Sequence, residues 1–379
     1  MTGGPTRALV LTGGGARGAY QAGVVRGLAA MAATRGRPVP FEILSGTSAG
    51  AINATYLGAH ADDWDAASKR LAELWTALRT DEVYRTDVAS ILWIAGGWLV
   101  DIFTGGAMRR SHPRALLDTG PLRQLIARNI NFDTLAANVT SGLITAVTTS
   151  ATDYGSNTNV TFFAAPAQRA AWERTRRIGV PMALRPEHVM ASAAIPLFFP
   201  PVAVGHRYFG DGSLRNAAPL SPALHLGADR LLVISVRRGS DATLATLDVP
   251  APKPGIARIL SLMINAVLLD AVDTDLERLT RINRTVTMLT EAARSESDLR
   301  SIDCLHIRPS ADIAQIALEE APHLPKLMRF LLGGLGSRSD GAELISHLMF
   351  EPAYTRRLVE LGMRDAAAHR DELMEFMRD

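Results

Sequence analysis

Short apolar runs bounded by glycine, proline or asparagine recur along the first two thirds of the chain. They predict β-strands at about residues 7–11, 41–45, 142–149, 158–164 and 230–236. Between the first strands, residues 19–36 and 49–60 place their apolar side chains at helical spacing. Strands that alternate with helices in this way predict an α/β fold with a mostly parallel central sheet, covered by helices on both faces.

The pattern changes after a polar stretch rich in proline and glycine, residues 239–255, which we interpret as a linker or connection. Beyond it the apolar spacing is mainly helical, although the residues around Cys304 are typical of a buried strand. We therefore expect an α/β domain over residues 7–238 and a mainly helical C-terminal region over residues 256–379, packed on that domain.

Composition excludes several classes of protein. The 379 residues are 47% apolar and 21% charged, which is typical of a globular protein with a large core. A formal net charge of only +2 gives no support to nucleic-acid binding. The single cysteine, Cys304, rules out an intramolecular disulfide and a cysteine-based zinc site, and we expect it to be an inert core thiol.

The N-terminus and the longest charge-free apolar run bear on location. The first residues lead into the first predicted strand without the pattern of a signal peptide, so we expect a cytoplasmic protein. The apolar run from Val88 to Val100 is too short for a spanning helix, which needs about 20 residues. Trp93 and Trp98 in this run leave open a peripheral contact with a membrane surface.

A glycine-rich motif follows the first predicted strand. Residues 13–18 satisfy the dinucleotide-binding pattern G-x-G-x-x-G, but that site also requires an acidic residue at the end of the second strand. The second strand ends instead in a serine, and the Gly-Lys-Ser/Thr ending of a P-loop is missing as well. The motif therefore favours a loop whose backbone N–H groups, at Gly14 and Gly15, stabilise a developing oxyanion.

That serine, Ser48, lies in the pattern G-x-S-x-G between a strand and a helix. Such a turn exposes a nucleophilic hydroxyl at the positive end of the helix, and the flanking Gly46 and Gly50 let the backbone pass close to the turn. Two consecutive strand-to-helix turns at the same sheet edge would place the glycine loop beside Ser48.

Asp211 is the candidate base. It follows a short apolar run and precedes Gly212, and the apolar, proline-rich residues 191–202 before it are expected to form a loop near the site. An ordinary aspartate has a pKa near 4 and is a weak base, but desolvation would make it more basic. Of the nine histidines, His225 is best placed for a Ser–Asp–His triad, and this alternative stays open.

Four ordered blocks, "GGGARGAYQAG", "GTSAG", "ASAAIPLFFPPV" and "YFGDGSLRNAAPL", resemble the patatin-like phospholipase family. The resemblance implies a three-layer α/β/α fold with a catalytic domain over residues 7–238. It also implies that Ser48 is the nucleophile, Asp211 the base of a Ser–Asp dyad, and the Gly13–Gly15 backbone the oxyanion hole. The reaction would be lipid ester hydrolysis through an acyl-enzyme, without a metal or nucleotide cofactor.

Two positions refine the resemblance. Arg17 matches the family's glycine loop, with a role that is either structural or directed at a substrate phosphate. Ser213 departs from the family, which usually has glycine or alanine after Asp-Gly. We expect a phospholipase A or lysophospholipase acting on a lipid substrate, with a silent lipid-binding or scaffold protein and an acyltransferase as alternatives. The sequence leaves head-group preference and oligomeric state open.

Overall fold

The structure is a computed structural model that describes residues 4–32, 41–85, 115–239, 259, 262–263, 271–325, 329 and 338–378. In this part of the chain ten strands form one sheet. The strands are β1 Arg7–Leu11, β2 Ile43–Thr47, β3 Ala146–Asp153, β4 Thr158–Ala164, β5 Trp172–Arg174, β6 Arg177–Pro181, β7 Val202–Val204, β8 Arg207–Asp211, β9 Arg230–Ile234 and β10 Asp303–Ile307.

The centre of the sheet is parallel. Its strand order is β10-β9-β1-β2-β3-β4-β6-β5, and the first five strands in that order all pair in parallel. Antiparallel pairing begins at β3, which pairs with β4 and, at its carboxyl end, with β8. All five residues of β1 are buried, as expected for a strand covered on both faces.

Helices cover both faces of the sheet. They are α1 Gly18–Ala32, α2 Ala49–Ala59, α3 Trp64–Ala77, α4 Thr80–Val83, α5 Gly120–Asn129, α6 Phe132–Thr140, α7 Pro186–Ser192, α8 Ser221–His225, α9 Ala271–Met288, α10 Glu291–Ser295, α11 Ile313–Glu320, α12 Arg338–Leu348, α13 Pro352–Ala368 and α14 Arg370–Phe376. Short 3₁₀ turns lie at Gly15–Arg17, Gly212–Leu214 and Ala321–His323.

Alternate residues of β1 divide the core into two layers. Leu9 and Leu11 belong to the larger cluster, together with residues of α1, α2, α3 and α13. Ala8 and Val10 belong to a second cluster, together with residues of α8 and α9. The molecule is therefore a three-layer α/β/α structure with a mostly parallel central sheet, which confirms the expected fold class.

The C-terminal region contributes to both the sheet and its helical cover. Strand β10 pairs with β9. Helix α13 packs against α1 at backbone contact distance, because a Cβ atom at Gly23 or Gly362 would collide with a carbonyl group of the other helix. The boundaries 7–238, 239–255 and 256–379 stay predictions, and most of the connection lies outside the described residues.

Most predicted strands occur close to their expected positions. The strands predicted at 7–11 and 158–164 match β1 and β4, and the strand expected around Cys304 is β10. The largest shift is at β3, which the apolar pattern predicts at 142–149 and which Ala146–Asp153 forms. Its second half is polar yet buried, because its hydroxyl groups bond to neighbouring strands.

No helix in the described ranges is both long and apolar enough to cross a membrane. The apolar run from Val88 to Val100, with Trp93 and Trp98, lies outside the described residues.

Candidate active site

The sheet brings Ser48 and Asp211 to the same edge. Strand β2 ends at Thr47, which pairs with Ser150 of β3. The next residue of β3, Ala151, pairs with Asp211 at the end of β8. Because β3 pairs with both β2 and β8, the residues that end those two strands flank the same part of β3.

Ser48 lies in a strained turn between β2 and α2. Its backbone has φ 55° and ψ −124°, a region that L-amino acids rarely adopt and that costs about 1–3 kcal/mol. The turn leaves no room for a side chain on either side, because a Cβ atom at Gly46 would collide with the Gly50 carbonyl, and one at Gly50 with the Leu11 carbonyl. Both glycines of the G-x-S-x-G pattern are therefore required by backbone contact, as expected for a nucleophile elbow.

The Asp211 carboxyl is fully buried at the start of the turn that follows β8. Its Oδ1 accepts a hydrogen bond from the Ser213 N–H at 2.9 Å, whereas Oδ2 makes no hydrogen bond of regular geometry within the described ranges. Burial raises the pKa of Asp211 to about 6, and hydrogen bonding from Ser48 and Ser213 offsets part of that effect. The carboxylate is thus a stronger base than an ordinary aspartate and is mostly ionised at neutral pH.

Ser192, at the end of α7, ties the Ser48 turn to the sheet. Its hydroxyl accepts the Ser48 N–H at 2.9 Å and donates to the Ser150 carbonyl. Because Ser192 is itself fully buried, this bridge is held away from water and fixes the backbone of the turn.

The Asp211 turn is held by neighbouring backbone in a similar way. The carbonyl of Asp211 accepts from the Thr152 hydroxyl at 2.9 Å. A Cβ atom at Gly212 would collide with the Ser150 carbonyl, so the turn passes β3 at backbone contact distance. Residues 193–201 lie outside regular helix and strand, and the Ala194 carbonyl there accepts the Asp211 N–H.

The glycine loop lies against these two turns. A Cβ atom at Gly13 would lie 3.2 Å from Ser48 Cβ and would collide with the Ser213 hydroxyl, so Gly13 passes directly between the two serines. In the described part of the chain, the buried N–H groups of Gly13, Gly14 and Gly15 donate no hydrogen bond. Buried N–H groups without acceptors are rare in proteins, and such groups can receive an anion.

Helix α12 packs against the glycine loop. The Gly14 carbonyl accepts a hydrogen bond from Nδ1 of the buried His347 at 3.0 Å. Gly15 has φ 56° and leaves no room for a side chain, because a Cβ atom there would collide with the His347 carbonyl. Burial keeps the pKa of His347 well below its usual value, so the ring is neutral and its Nδ1–H is the donor.

Arg17 joins the loop to the same helix. Its side chain is buried, and its guanidinium contacts the Ser346 hydroxyl at 2.9 Å and 2.6 Å and forms an ion pair with Glu343. Of the two roles that the sequence leaves open for Arg17, these contacts favour the structural one. The helix lies more than 300 residues further along the chain, so no local pattern points to His347, Ser346 or Glu343.

His225 has other neighbours. Its ring stacks on Trp172 with centroids 5.0 Å apart, and Trp172 in turn stacks on Phe163 in the smaller core cluster. Burial lowers its pKa, and the charge of two nearby arginines adds to that effect. No contact between His225 and Ser48 or Asp211 is found among the described residues, so the geometry favours the dyad over the triad.

An apolar cavity lies beside α2. Ile52, one helical turn after Ser48, lines it together with Tyr56 of the same helix, Trp75 of α3 and Phe350 after α12. Its apolar lining suits a hydrocarbon chain. Within the described ranges, no cluster of three or more His, Cys, Asp or Glu side chains could hold a metal ion.

Comparison with known proteins gives a family match. A family model described as patatin-like phospholipase matches residues 9–224, which is more than half of the chain. No curated protein sequence matches. The crystal structure of VipD from Legionella pneumophila is similar at 12% identity and a TM-score of 0.34, over 80% of this chain and 61% of VipD. The chain thus spans less than two thirds of the length of VipD.

Proposed function

Because this chain belongs to the patatin-like phospholipase family, we propose that it is a serine lipid acyl hydrolase of the phospholipase A or lysophospholipase type. The observation that carries this proposal is the meeting of Ser48, in its strained turn, with the buried Asp211 carboxyl and the glycine N–H groups that lack acceptors. Nucleophile, base and oxyanion donors are the three parts that acyl transfer needs.

The proposed reaction uses these three parts in turn. Ser48 Oγ attacks the carbonyl carbon of the lipid ester while its proton passes to Asp211. The carbonyl oxygen becomes an oxyanion and accepts hydrogen bonds from the glycine loop. When the intermediate collapses, the ester bond breaks and the leaving alcohol takes the proton from Asp211. A water molecule then attacks the acyl-enzyme with Asp211 again as base. As the acyl bond to Ser48 breaks, Ser48 Oγ takes the proton back from Asp211 and the fatty acid leaves. The apolar cavity beside Ile52 would hold the acyl chain.

A panel of esters tests the proposal. Wild-type protein is incubated with phospholipid, lysophospholipid, triglyceride and short-chain esters, and the fatty acid released is measured. A fluorophosphonate probe is applied in parallel, and the labelled peptide is identified by mass spectrometry. We expect hydrolysis of at least one lipid and labelling at Ser48. Labelling with transfer to another acceptor instead of water would indicate an acyltransferase, and neither label nor product would indicate a silent lipid-binding protein.

Replacing His225 tests whether the site uses a Ser–Asp dyad or a Ser–Asp–His triad. We expect His225→Ala to keep kcat/KM within about twofold of wild type, because His225 packs on Trp172 and makes no contact with the reacting groups. The measurement is the steady-state rate on a short-chain ester, with circular dichroism as the control for folding. Loss of activity in a folded His225→Ala protein would contradict the dyad.

His347 is expected to matter as a positioning residue. In a planar trans peptide the N–H points away from the C=O, so the bond from His347 to the Gly14 carbonyl also fixes the direction of the Gly15 N–H. We expect His347→Leu to lower kcat by about 10- to 100-fold with little change in KM, because the loss acts on the oxyanion and not on the bound ester.

The matched variant is His347→Asn, whose amide nitrogen can take the place of Nδ1. We expect it to recover most of the lost kcat. If the leucine and asparagine variants have the same kcat and melting temperature, His347 has no role beyond packing.

A further inference from the structure

A wide cleft of about 530 Å³ adjoins the turn that carries Asp211. Its walls come from the start of β6, from the turn after β8 and from one face of α9. Four arginines line it: Arg176, Arg177, Arg215 and Arg278. The other lining residues that the structure describes are uncharged, so this described part of the wall carries positive charge alone.

These arginines have no carboxylate partners in the part of the chain that the structure describes. Elsewhere in that part, arginines such as Arg230 form ion pairs with aspartates. Around the cleft the contacts are with neutral groups: Arg215 Nε donates to the Asn157 side chain at 2.7 Å, and Arg278 donates to the Ala217 carbonyl at 3.1 Å. The positive charge of the cleft is therefore not neutralised by these contacts, and an anion would be attracted.

One acidic group on α9, Asp275, lies near the arginines without pairing with them. Its Oδ2 accepts the Leu220 N–H at 3.0 Å, and Asp275 is not part of the cleft wall. Burial raises the pKa of Asp275, and the attraction of Arg278 and Arg177 offsets part of that effect. The arginines thus act on Asp275 over a distance and stay available to a ligand.

The cleft opens next to the reacting groups. Ser213 lines it, and the same residue donates its N–H to Asp211. Asn216, also in the wall, donates to the Thr47 hydroxyl just before Ser48. If the ester of a lipid substrate lies at Ser48, the alcohol part of that lipid would therefore extend into the cleft and toward the arginines.

We propose that this cleft binds the phosphate of an anionic glycerophospholipid whose acyl ester is cleaved at Ser48. The proposal rests on the proposed function and adds a head-group preference to it. Two glycerol carbons and two oxygens separate the sn-2 carbonyl carbon from the phosphorus atom, which suits a phosphate site beside the nucleophile. Guanidinium groups bind phosphate oxygens through paired hydrogen bonds, which suits the four arginines to this group.

The charge of the cleft also favours an anionic over a zwitterionic lipid head group. A zwitterionic lipid carries an ammonium group beyond its phosphate, and the described residues of the cleft wall offer it four positive charges and no carboxylate. A lipid with an uncharged group beyond the phosphate avoids that repulsion. We therefore expect phosphatidylglycerol to be a better substrate than phosphatidylcholine with the same acyl chains. Arg17 takes no part in this preference, because its guanidinium is buried against α12.

The test uses dihexanoyl phosphatidylglycerol and dihexanoyl phosphatidylcholine below their critical micelle concentrations, so that no charged lipid surface contributes. The measured quantity is the ratio of kcat/KM on the first lipid to kcat/KM on the second. We expect a ratio of about ten in wild type and a ratio near one in the double variant Arg215→Gln, Arg278→Gln. The matched control is the double variant Arg281→Gln, Arg284→Gln, which removes two positive charges from α9 outside the cleft wall and should keep the wild-type ratio.

Two further arms complete the test. Thermal melts of all variants check that they fold. Inorganic phosphate is added against sodium chloride at equal ionic strength, and competitive inhibition of phosphatidylglycerol cleavage in wild type but not in the double variant supports the cleft as the phosphate site. Inhibition by inorganic phosphate without a preference between the lipids would assign the cleft to free phosphate and overturn the proposal.

The remaining outcomes are equally decisive. A wild-type ratio near one, or a ratio that survives in a folded double variant, overturns the head-group site while leaving ester hydrolysis intact. A wild-type protein that cleaves no ester and takes no fluorophosphonate label overturns the proposed function, and the head-group site falls with it.

Discussion

Replacing Ser48 by alanine is expected to lower ester hydrolysis by at least about 10³-fold, because the variant has no hydroxyl to form the acyl-enzyme. Fluorophosphonate labelling should be lost together with hydrolysis. The measurement is the rate of fatty-acid release beside wild type at equal concentration, with circular dichroism to confirm folding. Hydrolysis at the wild-type rate by Ser48→Ala would exclude Ser48 as the nucleophile.

A second substitution at the same position separates catalysis from backbone strain. Ser48→Gly also lacks the hydroxyl, but glycine adopts φ 55° without the steric penalty that a Cβ atom brings. We expect both variants to be inactive and Ser48→Gly to be more stable than Ser48→Ala by about 1 kcal/mol in urea unfolding. Equal stability of the two variants would mean that the turn stores no strain at this residue.

Replacing Asp211 by asparagine is expected to abolish hydrolysis and at the same time stabilise the fold. The amide has nearly the same shape and can still accept the Ser213 N–H, but it cannot take the Ser48 proton. In wild type, kcat/KM should fall about tenfold per pH unit below about pH 6, where the Asp211 carboxylate becomes protonated. Activity of Asp211→Asn close to that of wild type would rule out Asp211 as the base.

The stability effect depends on pH in a definite direction. Burial raises the pKa of Asp211 from 3.8 in the unfolded chain to about 6 in the fold, so the folded state binds the proton more tightly. Its contribution to stability is fully present below about pH 4 and is lost as the pH rises through 6. At pH 8 the buried charge costs about 3 kcal/mol, which Asp211→Asn removes.

Measurement at two pH values is the control for the predicted stabilisation by Asp211→Asn. The difference in melting temperature between wild type and Asp211→Asn should be largest at pH 8 and should vanish near pH 4. A difference that does not change between these two pH values would mean that the pKa of Asp211 is not raised.

The sequence is most informative where local chemistry decides the structure. The G-x-S-x-G turn predicts the position of Ser48 at the end of β2, because both glycines are required by contacts within that turn and with β1. Apolar residues bounded by polar ones predict the positions of β1 and β4 to the residue. Strand β3 is displaced from its predicted position because its buried second half is polar, and apolar patterning does not detect hydroxyl groups that are satisfied by neighbouring strands.

Contacts between distant segments are not accessible from the sequence where no motif marks both segments. The hydrogen bond that holds the Gly14 carbonyl comes from His347 of α12, which lies 333 residues further along the chain. The arginine cleft combines β6, the turn after β8 and α9, and arginines in those segments resemble ordinary surface residues when each is considered alone. The roles of Ser48, Asp211 and the glycine loop stay predictions until the variants above are measured.

The hydrogen bond from His347 of α12 to the Gly14 carbonyl joins two segments that are synthesised far apart in time. A ribosome completes β1, the loop and the Ser48 turn long before it adds the residue that holds the Gly14 carbonyl. A nascent chain that has emerged only as far as β9 therefore holds Ser48 and Asp211 without the donor that orients the loop. The hydrogen bond to the Gly14 carbonyl can therefore form only after α12 has been synthesised.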